Sequence, residues 1–175
     1  MNASPDVSLT VAAESDSALL ANLLELYIHD LSEVFPAISL GADGRFGYRR
    51  LPLYWSEPER RFAFLIRNGE KVSGFILVTR GYSPASVDRD VLDIAEFFVL
   101  RAHRRAGVGR LAAHALWDRL PGRWTVRVSE GNFGALAFWP KVVEQYSGGH
   151  AVESQLPGEH NAWRVFSFAS SGLAP

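Results

Sequence analysis

The stretch Phe97-Phe98-Val99-Leu100-Arg101-Ala102-His103-Arg104-Arg105-Ala106-Gly107-Val108-Gly109 runs from an apolar strand through a basic turn into a glycine-spaced helix start. The helical run Leu111-Ala112-Ala113-His114-Ala115-Leu116-Trp117 follows at once. A helix start leaves its first backbone N–H groups unpaired and carries about half a positive charge, so it attracts an anion. Glycines let a ligand approach the backbone without a Cβ in the way. Arg101, Arg104, Arg105 and Arg110 add charge suited to a diphosphate. The expectation is a phosphate cradle. Two glycines can also serve only to relax a tight turn, with the arginines as a solvated face; the order strand, basic turn, helix favours the cradle.

One strand further on, Trp124-Thr125-Val126-Arg127-Val128 leads through Ser129-Glu130-Gly131 into Asn132-Phe133-Gly134-Ala135-Leu136-Ala137-Phe138-Trp139. The pair Arg104-x-x-Gly107-x-Gly109 and Asn132-x-x-Ala135-x-x-Phe138, in this order, resembles the two motifs of the GNAT superfamily, the general N-acetyltransferases. The resemblance covers about Leu65 to Tyr146, and Leu26-Tyr27-Ile28-His29-Asp30-Leu31-Ser32 is similar to a bacterial subgroup. It implies acetyl-CoA as cosubstrate, an amine as acceptor and no metal. Phe97, Phe98 and Val99 would then lie along the pantetheine arm, with the backbone of Phe97 and Val99 pairing to it as an added strand pairs with a sheet edge. The motif of Arg104 would present the N–H groups of Arg105, Ala106, Gly107, Val108, Gly109 and Arg110 to the pyrophosphate, and Asn132 and Phe138 would flank the arm. Plainer roles compete for two of these residues: Phe98 suits a core position, and Asn132 suits a helix N-cap.

Gly107-Val108-Gly109-Arg110-Leu111-Ala112 also satisfies the dinucleotide pattern Gly-x-Gly-x-x-Gly/Ala, with Glu130 where a ribose-binding acid would be expected. Arg101 to Ala106 separate the strand from the first glycine, whereas a dinucleotide site places them almost together. Residues 131–175 are also too few for the rest of a doubly wound sheet.

The chain has 175 residues, 47% hydrophobic and 21% charged, which suits one globular domain spanning 1–175. A formal net charge of −1 gives no overall bias toward nucleic acid or anionic lipid. There is no cysteine, hence no disulfide and no thiol nucleophile, so the nucleophile must come with the substrate. Met1-Asn2-Ala3-Ser4-Pro5-Asp6 lacks a secretion signature, and no apolar run reaches the ~20 residues of a membrane span. The expected setting is cytoplasmic, with neither nucleic acid nor membrane as partner. A homodimer is left open.

Val7 to Val11 alternates like an edge or half-buried strand, and Leu19, Leu20, Leu23, Leu24, Tyr27 and Leu31 form a helical stripe. Phe35-Pro36 and Gly41 to Gly44 punctuate a long connection. Arg61 to Arg67, a turn at Asn68-Gly69-Glu70, and Lys71 to Val78 read as a hairpin. After the polar loop from Gly81 to Asp90 come the strand Val91 to Leu100, the cradle and its helix. A strand near Tyr146, a Gly/Pro-rich loop and the alternating Trp163 to Phe168 complete the chain. The order β-α-α-β-β-β-α-β-α-β-β predicts an α+β fold, a mixed and mostly antiparallel sheet flanked by helices.

Acetyl transfer to an amine needs a polarised thioester carbonyl, a neutral amine and a route for protonating the departing thiolate. Asp93 and Glu96 are the candidate bases on the cradle strand, and their odd spacing predicts that they point to opposite faces. Asp93 occupies the position, counted back from Arg104, at which some GNAT enzymes carry an acidic residue. Either acid also fits a salt-bridged structural role. Trp139 departs from the tyrosine that many members carry there and whose phenol protonates the thiolate; an indole N–H cannot release a proton. Tyr146, seven residues on, is the candidate substitute, and solvent is another. Loss of turnover, leaving a catalytically weak acyl-CoA-binding module or sensor, is the alternative function. Tyr27, Asp30 and Glu33 are the candidate acceptor-binding residues, with Tyr48, Tyr54 and Trp55 beyond them, a mix of acid and aromatic that suits a cationic amine.

Overall fold

The computed structural model describes residues 5–171, so Met1 to Ser4 lie outside the described residues. Seven strands form one sheet in the order β1-β2-β3-β4-β5-β7-β6. They are β1 (Val7–Val11), β2 (Arg61–Asn68), β3 (Lys71–Arg80), β4 (Leu92–Val99), β5 (Gly122–Ser129), β6 (Val152–Leu156) and β7 (Trp163–Ser170). Every neighbouring pair is antiparallel except β4 with β5. This is the expected α+β fold, and it is incompatible with a doubly wound dinucleotide sheet.

Helices cover both faces. The stripe of α1 (Ser17–Leu31) buries Leu20, Leu23 and Leu24 against Ala63, Leu65, Phe75, Leu77 and Phe98, with the short α2 (Leu53–Ser56) closing the same face through Tyr54. On the other face α3 (Val108–Arg119) and α4 (Phe133–Ser147) bury Ala112, Leu116, Trp117, Trp139 and Val142 over Ile76, Val78, Ile94 and Val126. Covered on both sides, β3 reads as the continuous apolar run Phe75-Ile76-Leu77-Val78 rather than as an alternation. Gly74 is required by close approach: a Cβ there would lie 2.0 Å from the Phe98 carbonyl oxygen.

The strand expected near Tyr146 is instead the last turn of α4, and β6 begins only at Val152. Pro140 sits inside that helix, where it removes one backbone donor and argues for a break. Packing overrides it, because Trp139, Val142 and Val143 all bury on one side, and Gly148, left-handed at φ +61°, ends the helix. No helix among the described residues is long and apolar enough to cross a membrane.

Candidate active site

Strands β4 and β5 pair only at Leu92↔Trp124 and Asp93↔Thr125, then diverge. The register of β4 on β3 slips between Leu77, which faces Glu96, and Val78, which faces Ile94, leaving Ala95 as the extra residue of a β-bulge. A bulge bends its strand and interrupts pairing. It also reverses the face parity. Asp93 pairs with Thr79 and Glu96 with Leu77, so both acids point toward α1, contrary to the opposite faces that regular alternation predicts. Between the splayed strands lies a cleft of about 280 Å³ whose wall includes Glu96, Phe97, Arg127, Asn132, Trp139 and Trp163.

The two acids have different surroundings. Asp93, 1% exposed, accepts from Thr125 Oγ1 at 2.6 Å, Ser83 Oγ at 3.1 Å and the Arg127 guanidinium at 3.0 and 2.8 Å. All its acceptor capacity is committed, so it is a joint between β4 and β5 rather than a free base. Among the described residues Glu96 accepts only from phenols, Tyr27 Oη at 2.8 Å on Oε2 and Tyr48 Oη at 3.0 Å on Oε1. Burial raises its pKa above the ordinary carboxylate value while the two phenols and Arg127 oppose the rise. Burial, then the Glu96 charge, pushes both phenols upward, so they remain protonated donors.

At the mouth of the cleft the chain turns left-handed twice, at Arg105 (φ +64°) and Gly107 (φ +84°), before α3 begins. The first helical bond is from Leu111 N–H to the Gly107 carbonyl. No N–H of residues 105–110 has a partner among the described residues. These six donors at a positive helix end fit a pyrophosphate. A Cβ on Gly109 would lie 3.1 Å from Phe138, so glycine there lets the helix start meet the ring of α4. Phe97 packs on Phe138 and Trp139 with centroids 6.0 and 4.9 Å apart, so Phe97, Gly109 and Phe138 wall the space between cradle and cleft. Asn132 caps α4 by accepting from Ala135 N–H at 3.0 Å, as a helix N-cap should, and it also lines the cleft.

Several expected residues lie elsewhere. The Arg104 side chain turns inward, donating to the Val99 carbonyl at 2.7 Å and to Asp30 at 2.7 Å. Asp30 is further bound by Arg101 at 2.6 Å, and neither Asp30 nor Glu33 is on the cleft wall; of the three expected acceptor residues only Tyr27 is. Phe98 is core, packed on Phe75 and Tyr27. Tyr146 is not in the cleft: its hydroxyl donates to Asp118 at 2.8 Å, and its ring packs on Trp117 and His114. Fourteen residues of helix carry it roughly 20 Å from Asn132. Sequence reading missed Arg127 and Trp163. The available signal was Thr125, Arg127 and Ser129 at alternate positions of a strand buried on both sides.

The model of the acetyltransferase (GNAT) family matches residues 20–143. The chain belongs to the GNAT acetyltransferase family. Solved structures with the same fold include an acetyltransferase from Thermus thermophilus, 19% identical with a TM-score of 0.67 over 93% of this chain and 96% of that one. Spermidine N-acetyltransferase from Vibrio cholerae, solved with CoA and spermine, is 15% identical with a TM-score of 0.61, covering 94% and 96% of the two chains. The yncA protein from Salmonella typhimurium, solved with acetyl-CoA, is 14% identical with a TM-score of 0.64 over 97% of both. A search of curated proteins gave no match.

Proposed function

We propose that this GNAT protein is an acetyl-CoA-dependent N-acetyltransferase that passes the acetyl group to the primary amine of a small molecule or peptide by direct attack. The observation that carries the reading is the meeting, at one splayed strand, of six N–H donors unpaired among the described residues and a half-buried glutamate held there only by phenols. The cradle takes the pyrophosphate. The edge of β4 beyond Asp93, unpaired with β5, would take the pantetheine arm as an added strand, and the thioester would supply an activated acetyl carbonyl to the cleft that Glu96 lines. Neighbours of the same fold solved with CoA or acetyl-CoA support this reading.

Glu96 relieves the incoming ammonium of its proton. A carboxylate raised above its usual pKa is a stronger base for that task, and the Tyr27 and Tyr48 phenols keep it aimed. The leaving thiol has an ordinary pKa of roughly 8.5, so it departs as a thiolate and takes a proton from solvent. Trp139 therefore does not argue for a binding module without turnover. It lines the cleft and packs edge-on to Phe97, closing the cleft wall that a tyrosine would close.

A thiol-release assay over a panel of primary amines tests the reading, with Glu96→Gln as control. The amide keeps the shape and loses the base, so turnover is expected to fall ~10²- to 10⁴-fold. Stability should not fall with it. The folded pKa of Glu96 lies above the unfolded one, so its stabilising contribution is complete below the unfolded pKa and is lost as pH rises through the folded pKa. At neutral pH, Glu96→Gln should therefore keep or raise Tm. Full turnover in the variant refutes Glu96 as base.

A further inference from the structure

We infer that the acceptor is a free α-amino acid with an apolar or aromatic side chain, bound with its ammonium at Glu96 and its carboxylate at Arg127. The inference rests on the acetyl-transfer reading and narrows its substrate.

The cleft wall carries one carboxylate, Glu96, and one guanidinium, Arg127. An arginine presents five donors in a rigid fork. Asp93 engages Nε and Nη2 of Arg127 from the far side, and among the described residues Nη1 has no partner. The fork cannot turn away to find one. Asp93 holds it at two points, the Trp163 ring lies 5.7 Å from its carbon, and the side chain is only 20% exposed. A fixed, partly desolvated edge with free N–H groups beside a lone carboxylate is the complement of a molecule carrying an ammonium and a carboxylate on neighbouring atoms. The start of α4, which opens at Asn132 on the same wall, adds partial positive charge for the anionic end.

The rest of the wall specifies the side chain. Phe35 and Trp163 stack at 5.9 Å with 18° between their planes, and Leu31 continues that surface. A polycation finds no second acid there. Asp93 is bound by Arg127, and Asp30, off the cleft wall, by Arg101 and Arg104. A second ammonium would meet Arg127 itself, so a polyamine is selected against by like charge.

The chemistry balances with acetyl-CoA as the acyl donor. Glu96 takes one proton from the ammonium, and the amine nitrogen forms the new N–C bond. The C–S bond breaks, the nitrogen gives up a second proton, and the thiolate takes up one. The products are the N-acetyl amino acid, CoA thiol and one proton, which Glu96 returns to solvent.

The test uses matched pairs that differ only in the carboxylate: L-phenylalanine against phenethylamine, and L-leucine against 3-methylbutylamine, with L-phenylalaninamide and spermidine as further arms. Thiol release is measured on the full chain at saturating acetyl-CoA, and kcat/KM is expressed per ammonium form, the form that Glu96 receives. Charge-assisted hydrogen bonds to the carboxylate should favour each amino acid over its partner roughly 10- to 100-fold, with the amide intermediate and spermidine poorest. Arg127→Lys retains a cation for Asp93 but has no second edge, and it should bring the ratio toward one. Equal or better kcat/KM with the carboxylate-free amines, the amide or spermidine overturns the inference while acetyl transfer stands. Absence of thiol release with every amine overturns both.

Discussion

Replacing Tyr48 with phenylalanine isolates what a single hydroxyl does to the base. The phenol donates to Glu96 Oε1 at 3.0 Å, and Tyr27 remains on Oε2 at 2.8 Å. A hydrogen bond to a charged group contributes about 1.5–3 kcal/mol, and 1.36 kcal/mol corresponds to one pKa unit. Removing it from a carboxylate whose burial already disfavours the charge should raise the Glu96 pKa further. The base works only when ionised, so the acidic limb of kcat/KM against pH should move to higher pH with it. On that limb the rate falls about tenfold or more at fixed pH, while the plateau at higher pH is kept. The same amine is used for both proteins, so its own ionisation cancels in the comparison. A limb that does not move, or a loss that is uniform across pH, refutes the assignment of Glu96 as a base tuned by its phenols.

Gly107→Glu should fold, since nothing lies within 4 Å of a Cβ at that position and the left-handed φ of +84° costs about 1–2 kcal/mol. Its carboxylate faces the cradle, so calorimetry should detect no acetyl-CoA binding, and unchanged binding refutes the phosphate site. Tyr146→Phe should leave turnover unaltered and lower stability by about 1 kcal/mol through the lost bond to Asp118, read as a drop in Tm. A 10²-fold fall in turnover would return Tyr146 to the chemistry.

The cradle is legible in the sequence because its signal is local: φ signs, glycine spacing and an unpaired helix start are written in consecutive residues from Arg104 to Leu111. Individual strands are legible for a related reason, since the hairpin of Arg61 to Arg67 with Lys71 to Val78 and the alternating Trp163 to Phe168 carry their own periodicity. The two acids of β4 are misread because a bulge is a tertiary event. Nothing in Asp93-Ile94-Ala95-Glu96 announces that Ala95 drops out of register, and that one residue decides which face Glu96 shares. Asp30 and Glu33 fall off the cleft wall for a different reason. Asp30 lies on the correct helix, but two arginines from the cradle turn reach it first, a long-range pairing that no helix periodicity encodes. Counting along the chain points to Tyr146, and a helix that continues through Pro140 carries it away from the cleft.

The sheet resembles a half-open book whose two covers, β1 to β4 and β5 to β7, are stitched at just two residue pairs. The knot at that spine is polar: Asp93, Thr125 and Ser83 lie off the cleft wall, Arg127 reaches them from it, and the four are bonded mainly to one another. The aperture is therefore set at the spine. Because Arg127 belongs both to the knot and to the wall, a substitution at Ser83 or Thr125 is expected to reorient a guanidinium that faces the cleft. On the proposed role of Arg127, acceptor preference has a tuning screw on Ser83 and Thr125, residues off the cleft wall, and substitutions there are expected to alter selectivity without changing the cleft's own inventory of side chains.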